Sequence, residues 1–135
     1  MTDTTMQGVN KTVLIVDDDE FSRAIFCKKL GLLGLTDIHE AMNGRNGVFA
    51  MDQMPHPPEY LICDIFMPDM DGIEFVAELA KRHYKGGLIL VTGVNKDMLE
   101  VAAHIATLSG LRVLGTFTKP VQLESLGQAL GMAVA

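Results

Sequence analysis

Five short apolar runs alternating with five helix-length stretches predict a doubly wound α/β domain, a parallel sheet covered on both faces by helices. Three observations carry the prediction. The best strand candidates, TVLIV at 12–16 and YLIC at 60–63, are continuously apolar instead of alternating, as expected of strands buried on both faces. Strand and helix patterns alternate strictly along the chain, which demands right-handed crossovers. Several apolar runs end in polar, chemically capable residues, at the edge where such sheets hold their ligands.

Taken in order, Thr12 to Val16 is the first strand and runs straight into Asp17-Asp18-Asp19. Phe26, Leu30 and Leu33 recur at helical spacing with Cys27 beside them, and Gly31 and Gly34 supply stop signals. Asp37 to Ala41 reads as a short strand, Arg45 to Met54 as a helix, and Pro55 to Pro58 as a break. Tyr60 to Cys63 is the third strand. Gly72 opens a helix with Ile73, Val76, Leu79 and Ala80 on one face, and Gly86-Gly87 precedes a fourth strand, Leu88 to Val91. Asn95 can cap a helix whose apolar face runs through Met98, Val101, Ala102, Ile105 and Leu108 and which closes near Ser109-Gly110. Arg112 to Phe117 is the fifth strand. Leu123, Leu126 and Leu130 mark a last helix after Pro120, weakened by Gly127 and Gly131.

A chain of 135 residues suits one domain with a core that needs no disulfide or metal staple. The expected division is a flexible tail at 1–10 and a folded domain at 11–135. No apolar run approaches the roughly 18 residues of a membrane span. The first residues, MTDTTMQGVNK, lack a basic-plus-apolar signal pattern, so the cytoplasm is the expected compartment. A net charge of −6 argues against a nucleic-acid surface, which needs clustered Lys and Arg. Cys27 and Cys63 stand in apolar stretches without CxxC or Cys/His spacing, the pattern of reduced core thiols.

The carboxyl ends of the strands carry Asp17, Asp18 and Asp19, then Asp64, Thr92 and Lys119. Carboxylates gathered at one edge repel unless a cation sits among them, and a small open site of hard oxygens suits Mg²⁺. A metal, an ammonium and a hydroxyl around a carboxylate suit phosphoryl transfer, where positioning and charge neutralisation supply most of the catalysis. Asp64 would be the nucleophile, because a carboxylate is ionised at neutral pH and attacks phosphorus without a general base. Asp19 reads as the start of a helix. Asp69 and Asp71 read as turn residues that cap the Gly72 helix, and the four scattered histidines as side chains without a catalytic part.

The runs LIVDDDE at 14–20, CDIFMPDMDG at 63–72, VTG at 91–93 and TKP at 118–120 resemble two-component response-regulator receiver domains across nearly the whole chain. The stretch LSGLRVLGTFTKP is similar to receivers joined to EAL-type cyclic-di-GMP phosphodiesterase domains. The resemblance implies a flavodoxin-like sheet of order 2-1-3-4-5. It implies Asp64 as phosphoacceptor, Asp18 as direct Mg²⁺ ligand, Asp17 acting through a coordinated water, and the Phe66 backbone carbonyl completing the protein ligands. Thr92 and Lys119 would each bind a phosphoryl oxygen, and the Lys119-Pro120 bond would be cis. Its implied partners are a sensor histidine kinase or phosphotransfer protein, a downstream effector that could be an EAL-type domain, and a second copy through helix four and strand five. Direct nucleic-acid or membrane contact is not expected. Nor is enzymatic turnover beyond self-catalysed phosphorylation and dephosphorylation: an aspartate-nucleophile phosphohydrolase would need a second carboxylate where Phe66 stands. A receiver-fold module that binds partners without being phosphorylated is the other alternative.

Three features depart from the commonest receivers. Thr116 stands where many carry Tyr or Phe, and Phe117, one residue on, is expected on the opposite, core-facing side. The segment from Thr92 to Lys119 is about five residues longer than in compact receivers, in helix four or the loop after it. Phe66 and Val94 are apolar where some relatives place groups that orient hydrolytic water, which suggests a long-lived phosphoryl state.

Overall fold

Alternate residues along each central strand enter two different cores. Leu14, Val16, Leu61, Cys63, Leu88 and Leu90 point to one face of the sheet, and Val13, Ile15, Tyr60, Ile62, Ile89 and Val91 to the other. Both faces being covered, neither set can be polar, which is why these strands read as unbroken apolar runs. The computed structural model describes residues 11–132. The expected tail at 1–10, and residues 133–135, lie outside them.

The elements are β1 (Thr12–Val16), α1 (Glu20–Leu32), β2 (Asp37–Ala41), α2 (Gly44–Gln53), β3 (Tyr60–Asp64), α3 (Gly72–Lys81), β4 (Gly87–Thr92), α4 (Lys96–Leu108), β5 (Arg112–Thr118) and α5 (Leu123–Ala129). The five strands are parallel in the order β2-β1-β3-β4-β5, as expected. Side chains of α2, α3 and α4 fill the first core, and those of α1 and α5 the second. No helix among the described residues is long and apolar enough to cross a membrane.

Three local expectations are corrected. Gly31 stays inside α1, and the chain turns at Gly34, whose φ of 91° suits glycine. In α3 the deepest residue is Phe75, fully buried with Val76 and Leu79, while Ile73 and Ala80 are only partly covered. Replacing Phe75 with Ala would cost roughly 3–5 kcal/mol. In α4 the face turned to the sheet is Leu99, Ala102 and Ala106, and Val101 and Leu108 are exposed. Apolar residues cover more than one side of this helix, so helical spacing had two solutions. The one realised packs two alanines and Leu99 against the sheet, because small side chains let a helix sit close to the strands.

Between Thr92 and Lys119 lie the thirteen-residue α4 and the seven-residue β5, which carries a register shift opposite Leu88/Ile89, joined by a short connection at 109–111. Phe117 packs in the second core, as expected of it, while Thr116 lines a groove with Lys96, Leu99 and Glu100 of α4.

Candidate functional site

Strand parity brings the acidic residues together. Asp17 follows Val13 and Ile15 on one face of the sheet, Asp64 follows Tyr60 and Ile62 on the same face, and Val16 is in register with Cys63. The two carboxylates therefore meet at the carboxyl edge, Asp17 only 1% exposed and Asp64 6%. Asp18 is exposed, and one carboxylate oxygen from each of Asp17, Asp18 and Asp64 lies within 4.8 Å of the others.

Lys119 arrives from β5, its backbone N–H donating to the Thr92 carbonyl at 2.8 Å. Its ammonium donates to Asp17 Oδ2 at 2.7 Å and Asp64 Oδ2 at 2.8 Å. Loop amides hold the remaining oxygens: Asp19 N–H donates to Asp17 Oδ1 at 2.9 Å and Phe66 N–H to Asp64 Oδ1 at 2.8 Å. Thr92 is fully buried, and its hydroxyl oxygen accepts from the amides of Val94 (3.3 Å) and Asn95 (3.4 Å). Both distances exceed the usual N–H···O range, so this hydroxyl is held loosely and can turn to a better partner. The Lys119-Pro120 peptide is cis.

The local folding follows from chain chemistry. Asp19 caps α1, accepting from Phe21 N–H, which leaves Asp17 and Asp18 outside the helix at the sheet edge. The loop after β3 is clamped by Gly72 N–H donating to the Ile65 carbonyl at 2.8 Å. A Cβ at position 72 would lie 2.6 Å from that of Ile65, so only glycine lets α3 start this close to the site.

Three carboxylates against one ammonium leave an excess of two negative charges. Burial pushes the Asp64 carboxyl above its ordinary range; the hydrogen bonds from Lys119 and Phe66 pull it back, and Asp17 adds repulsion. Burial works against the Lys119 ammonium, but the Asp17 and Asp64 carboxylates outweigh it and hold the group charged. The Cys63 thiol is pushed well up by burial, then by Asp64 and Asp17, so it stays protonated and takes no part as a nucleophile. An excess of two charges on hard oxygen donors fits one divalent cation.

Asp17, Asp18, Asp64, Phe66, Thr92 and Lys119 all come to this edge, and Arg23 and Asp69 belong to its frame. Arg23 donates to the Asp17 carbonyl at 2.7 Å and to Glu40 at 3.1 Å, tying the ends of β1 and β2 together. Asp71 caps α3 as expected, accepting from Glu74 N–H, but Asp69 does not. It crosses to α2, accepting from the amides of Gly44 (3.2 Å) and Arg45 (3.0 Å). Burial opposes the Asp69 charge, and these and nearby amides outweigh it, holding the carboxyl below its usual range. Sequence spacing could not show this, because the free amides of α2 are distant in the chain.

A doubly wound sheet with buried carboxylates, a hydroxyl and an ammonium at its carboxyl edge defines an α/β domain built to take a phosphoryl group on aspartate. The chain belongs to the response regulator receiver domain family, whose model matches residues 13–131. It is similar to the protein-glutamate methylesterase/protein-glutamine glutaminase of Treponema denticola, 33% identical over 115 residues, which are 84% of this chain and 29% of that protein. It is also similar to the cyclic di-GMP phosphodiesterase RocR of Pseudomonas aeruginosa, 27% identical over 114 residues, 84% of this chain and 29% of that protein. Among solved structures, a response regulator from Colwellia psychrerythraea is 30% identical with a TM-score of 0.75, covering 91% of this chain and 95% of that one. The chain thus spans under a third of either curated relative, and the enzymatic activities in their names are those of the longer proteins. What the family supplies is a signalling module of two-component systems, a phosphoacceptor switch whose acidic pocket binds Mg²⁺.

Proposed function

We propose that Asp64 is the phosphoacceptor of this chain and that its phosphorylation is Mg²⁺-dependent. The observation that supports this most is the Asp64 carboxylate itself: buried, held by the Phe66 amide on one oxygen and the Lys119 ammonium on the other, beside Asp17 and Asp18. An Asp64 oxygen attacks phosphorus, an acyl phosphate bond forms, and the bond from phosphorus to the donor's leaving group breaks. Asp18, Asp17, Asp64 and the Phe66 carbonyl would hold the cation, which supplies charge neutralisation to the transferring group. Lys119 keeps its place and exchanges a carboxylate oxygen for a phosphoryl oxygen. Thr92 gives up its two long amide contacts and donates its hydroxyl to another, which shifts the start of α4 and the neighbouring β5 surface.

The donor is a sensor histidine kinase or phosphotransfer protein in the cytoplasm. The carboxyl edge presents exposed Phe21 in the first turn of α1 and Met42, Phe66 and Val94 in loops, an apolar rim a docking donor would cover. The receiver of the output is an effector domain or protein, for which RocR makes an EAL-type domain the first candidate, or a second copy of the chain. With an acidic chain, direct nucleic-acid contact is not part of this reading.

The test is mass spectrometry of the intact chain after incubation with Mg²⁺ and a small phosphodonor such as acetyl phosphate. The expected result is a gain of one phosphoryl group that disappears in Asp64→Asn and on chelation of the metal. No gain with any donor would leave a receiver-fold binding module instead.

A further inference from the structure

We propose that Arg23 is a positioning residue for the cation: it fixes the backbone from which Asp18 reaches the metal, and so sets the affinity for Mg²⁺ without touching the ion. The inference deepens the Mg²⁺ site proposed above and rests on that reading.

The three carboxylates are not held alike. Asp17 and Asp64 are buried, and each has an amide on one oxygen and the Lys119 ammonium on the other. Asp18 is exposed, and among the described residues its carboxylate has no hydrogen-bond partner and no ion pair. What places it is therefore the chain on either side. After it, Asp19 N–H donates to Asp17 Oδ1 at 2.9 Å; before it, the Asp17 carbonyl accepts from Arg23 Nη1 at 2.7 Å. The Asp17 N–H donates to the Ala41 carbonyl at 3.1 Å, which anchors the start of the loop to the end of β2. Of these bonds, only the one from Arg23 holds the peptide that joins Asp17 to Asp18. That peptide is planar, so fixing its carbonyl oxygen also fixes the Asp18 Cα.

The fold prepares Arg23 for this contact. It lies one turn into α1, where side chains lean back toward the helix N-terminus, so it reaches over the residues that precede the helix. Two of its donors are used at once, Nη1 on Asp17 and Nε on Glu40 at 3.1 Å, and its side chain is only 13% exposed. Glu40 stands in β2 in register with Ile15, so the sheet fixes the far end of the contact. The planar guanidinium passes that direction on to the carbonyl, as a flexible ammonium would not. Electrostatics alone does not account for a cation here. A guanidinium bonded to the backbone of Asp17 repels an incoming metal ion, and a positive charge near a helix N-terminus is disfavoured. Glu40 offsets the charge, and what remains is geometry.

The sign of the effect therefore separates three roles. Without Arg23 the site loses a positive neighbour, so charge alone predicts tighter Mg²⁺ binding, whereas lost positioning predicts weaker binding. A role in folding alone predicts a lower melting temperature with unchanged affinity.

The test is titration of the full chain with Mg²⁺, followed in amide NMR spectra, with thermal melts in metal-free buffer alongside. Arg23→Gln should raise the dissociation constant by about tenfold or more, the loss typical when a group that orients a metal ligand is removed. Arg23→Lys, which keeps the charge but not the planar fork, should fall between it and the wild type. With acetyl phosphate, the Mg²⁺ concentration that gives half the maximal phosphorylation rate should rise in Arg23→Gln by the same factor, and saturating Mg²⁺ should restore the rate. Arg82→Met, at the other end of the sheet, should leave the dissociation constant unchanged. The proposal is overturned if Arg23→Gln binds Mg²⁺ as tightly as the wild type or more tightly, or if saturating Mg²⁺ does not restore its rate. Should Arg23→Gln fail to fold, Arg23→Lys decides: a several-fold weakening is expected, and a wild-type constant overturns the proposal. A wild-type chain that binds no Mg²⁺ would sink the cation site itself and this inference with it, whereas equal binding by wild type and variants would sink the inference alone.

Discussion

The two ends of this sheet handle charge in opposite ways. At the amino edge Arg82 donates to Asp52 at 2.8 and 2.9 Å and to Glu78 at 2.8 Å, an ion-pair group open to solvent that ties α3 to α2. A cavity of about 360 Å³ lies beside it, lined by Asp52, Arg82, Tyr84 and Arg112 among others, and the Tyr84 hydroxyl donates to the Pro58 carbonyl. At the carboxyl edge the hollow that Lys119 lines with Phe21, Phe26 and Val121 is smaller, about 280 Å³, and outside it the Lys119 ammonium meets two buried carboxylates, Asp17 and Asp64, with Asp18 at their rim. The amino edge has room and paired charge. The carboxyl edge has charge left over, and burying it costs free energy that no packing requirement explains. The excess, not the volume, marks the chemistry.

This contrast can be broken at several points. The largest effect is expected from the metal: Mg²⁺ at a hundred times its dissociation constant should stabilise the fold by about 2.7 kcal/mol in thermal or urea unfolding. Asp18→Asn should remove most of that gain. If Mg²⁺ leaves the melting curve unmoved, the surplus charge is not a cation site. Lys119→Met should come next, destabilising the metal-free protein by roughly 2 kcal/mol. That is less than the 3–5 kcal/mol typical of breaking a fully buried pair, because the lysine side chain keeps some solvent contact. An unchanged urea midpoint would mean that Asp17 and Asp64 do not depend on the ammonium. Phe66→Asn is expected to speed loss of the phosphoryl group by about tenfold, or ~1.4 kcal/mol of barrier. A marked slowing would contradict the idea that apolar side chains here prolong the phosphorylated state. Smallest is Arg82→Met at the amino edge, which should cost under about 1 kcal/mol and leave phosphorylation intact, as expected for exposed pairs. A loss of phosphorylation there would dissolve the distinction between the edges.

Much of the carboxyl edge was legible because strand geometry is periodic. An unbroken apolar run must be covered on both faces, and the residue that ends it sits at the sheet edge, so Asp17, Asp64 and Thr92 could be placed without knowing any helix position, and Lys119 by its place just after the fifth strand. What could not be read were contacts whose partners are remote in sequence. Arg23 of α1 reaches Glu40 of β2, and Asp69 serves the first amides of α2, 25 and 24 residues before it. The turn chemistry of Asp69 and Asp71 is alike in sequence, and only the position of the α2 amides separates their roles.

Helix α4 marks the boundary between the two kinds of information. Its sequence determined that a helix forms from Asn95 and that apolar residues lie on more than one side of it, and the repeating polar residues at strand ends determined where the site is. Which apolar side meets the sheet was decided only by tertiary packing. The gap over the first core takes Leu99, Ala102 and Ala106, and once they are seated the rigid helix must turn Val101 and Leu108 outward.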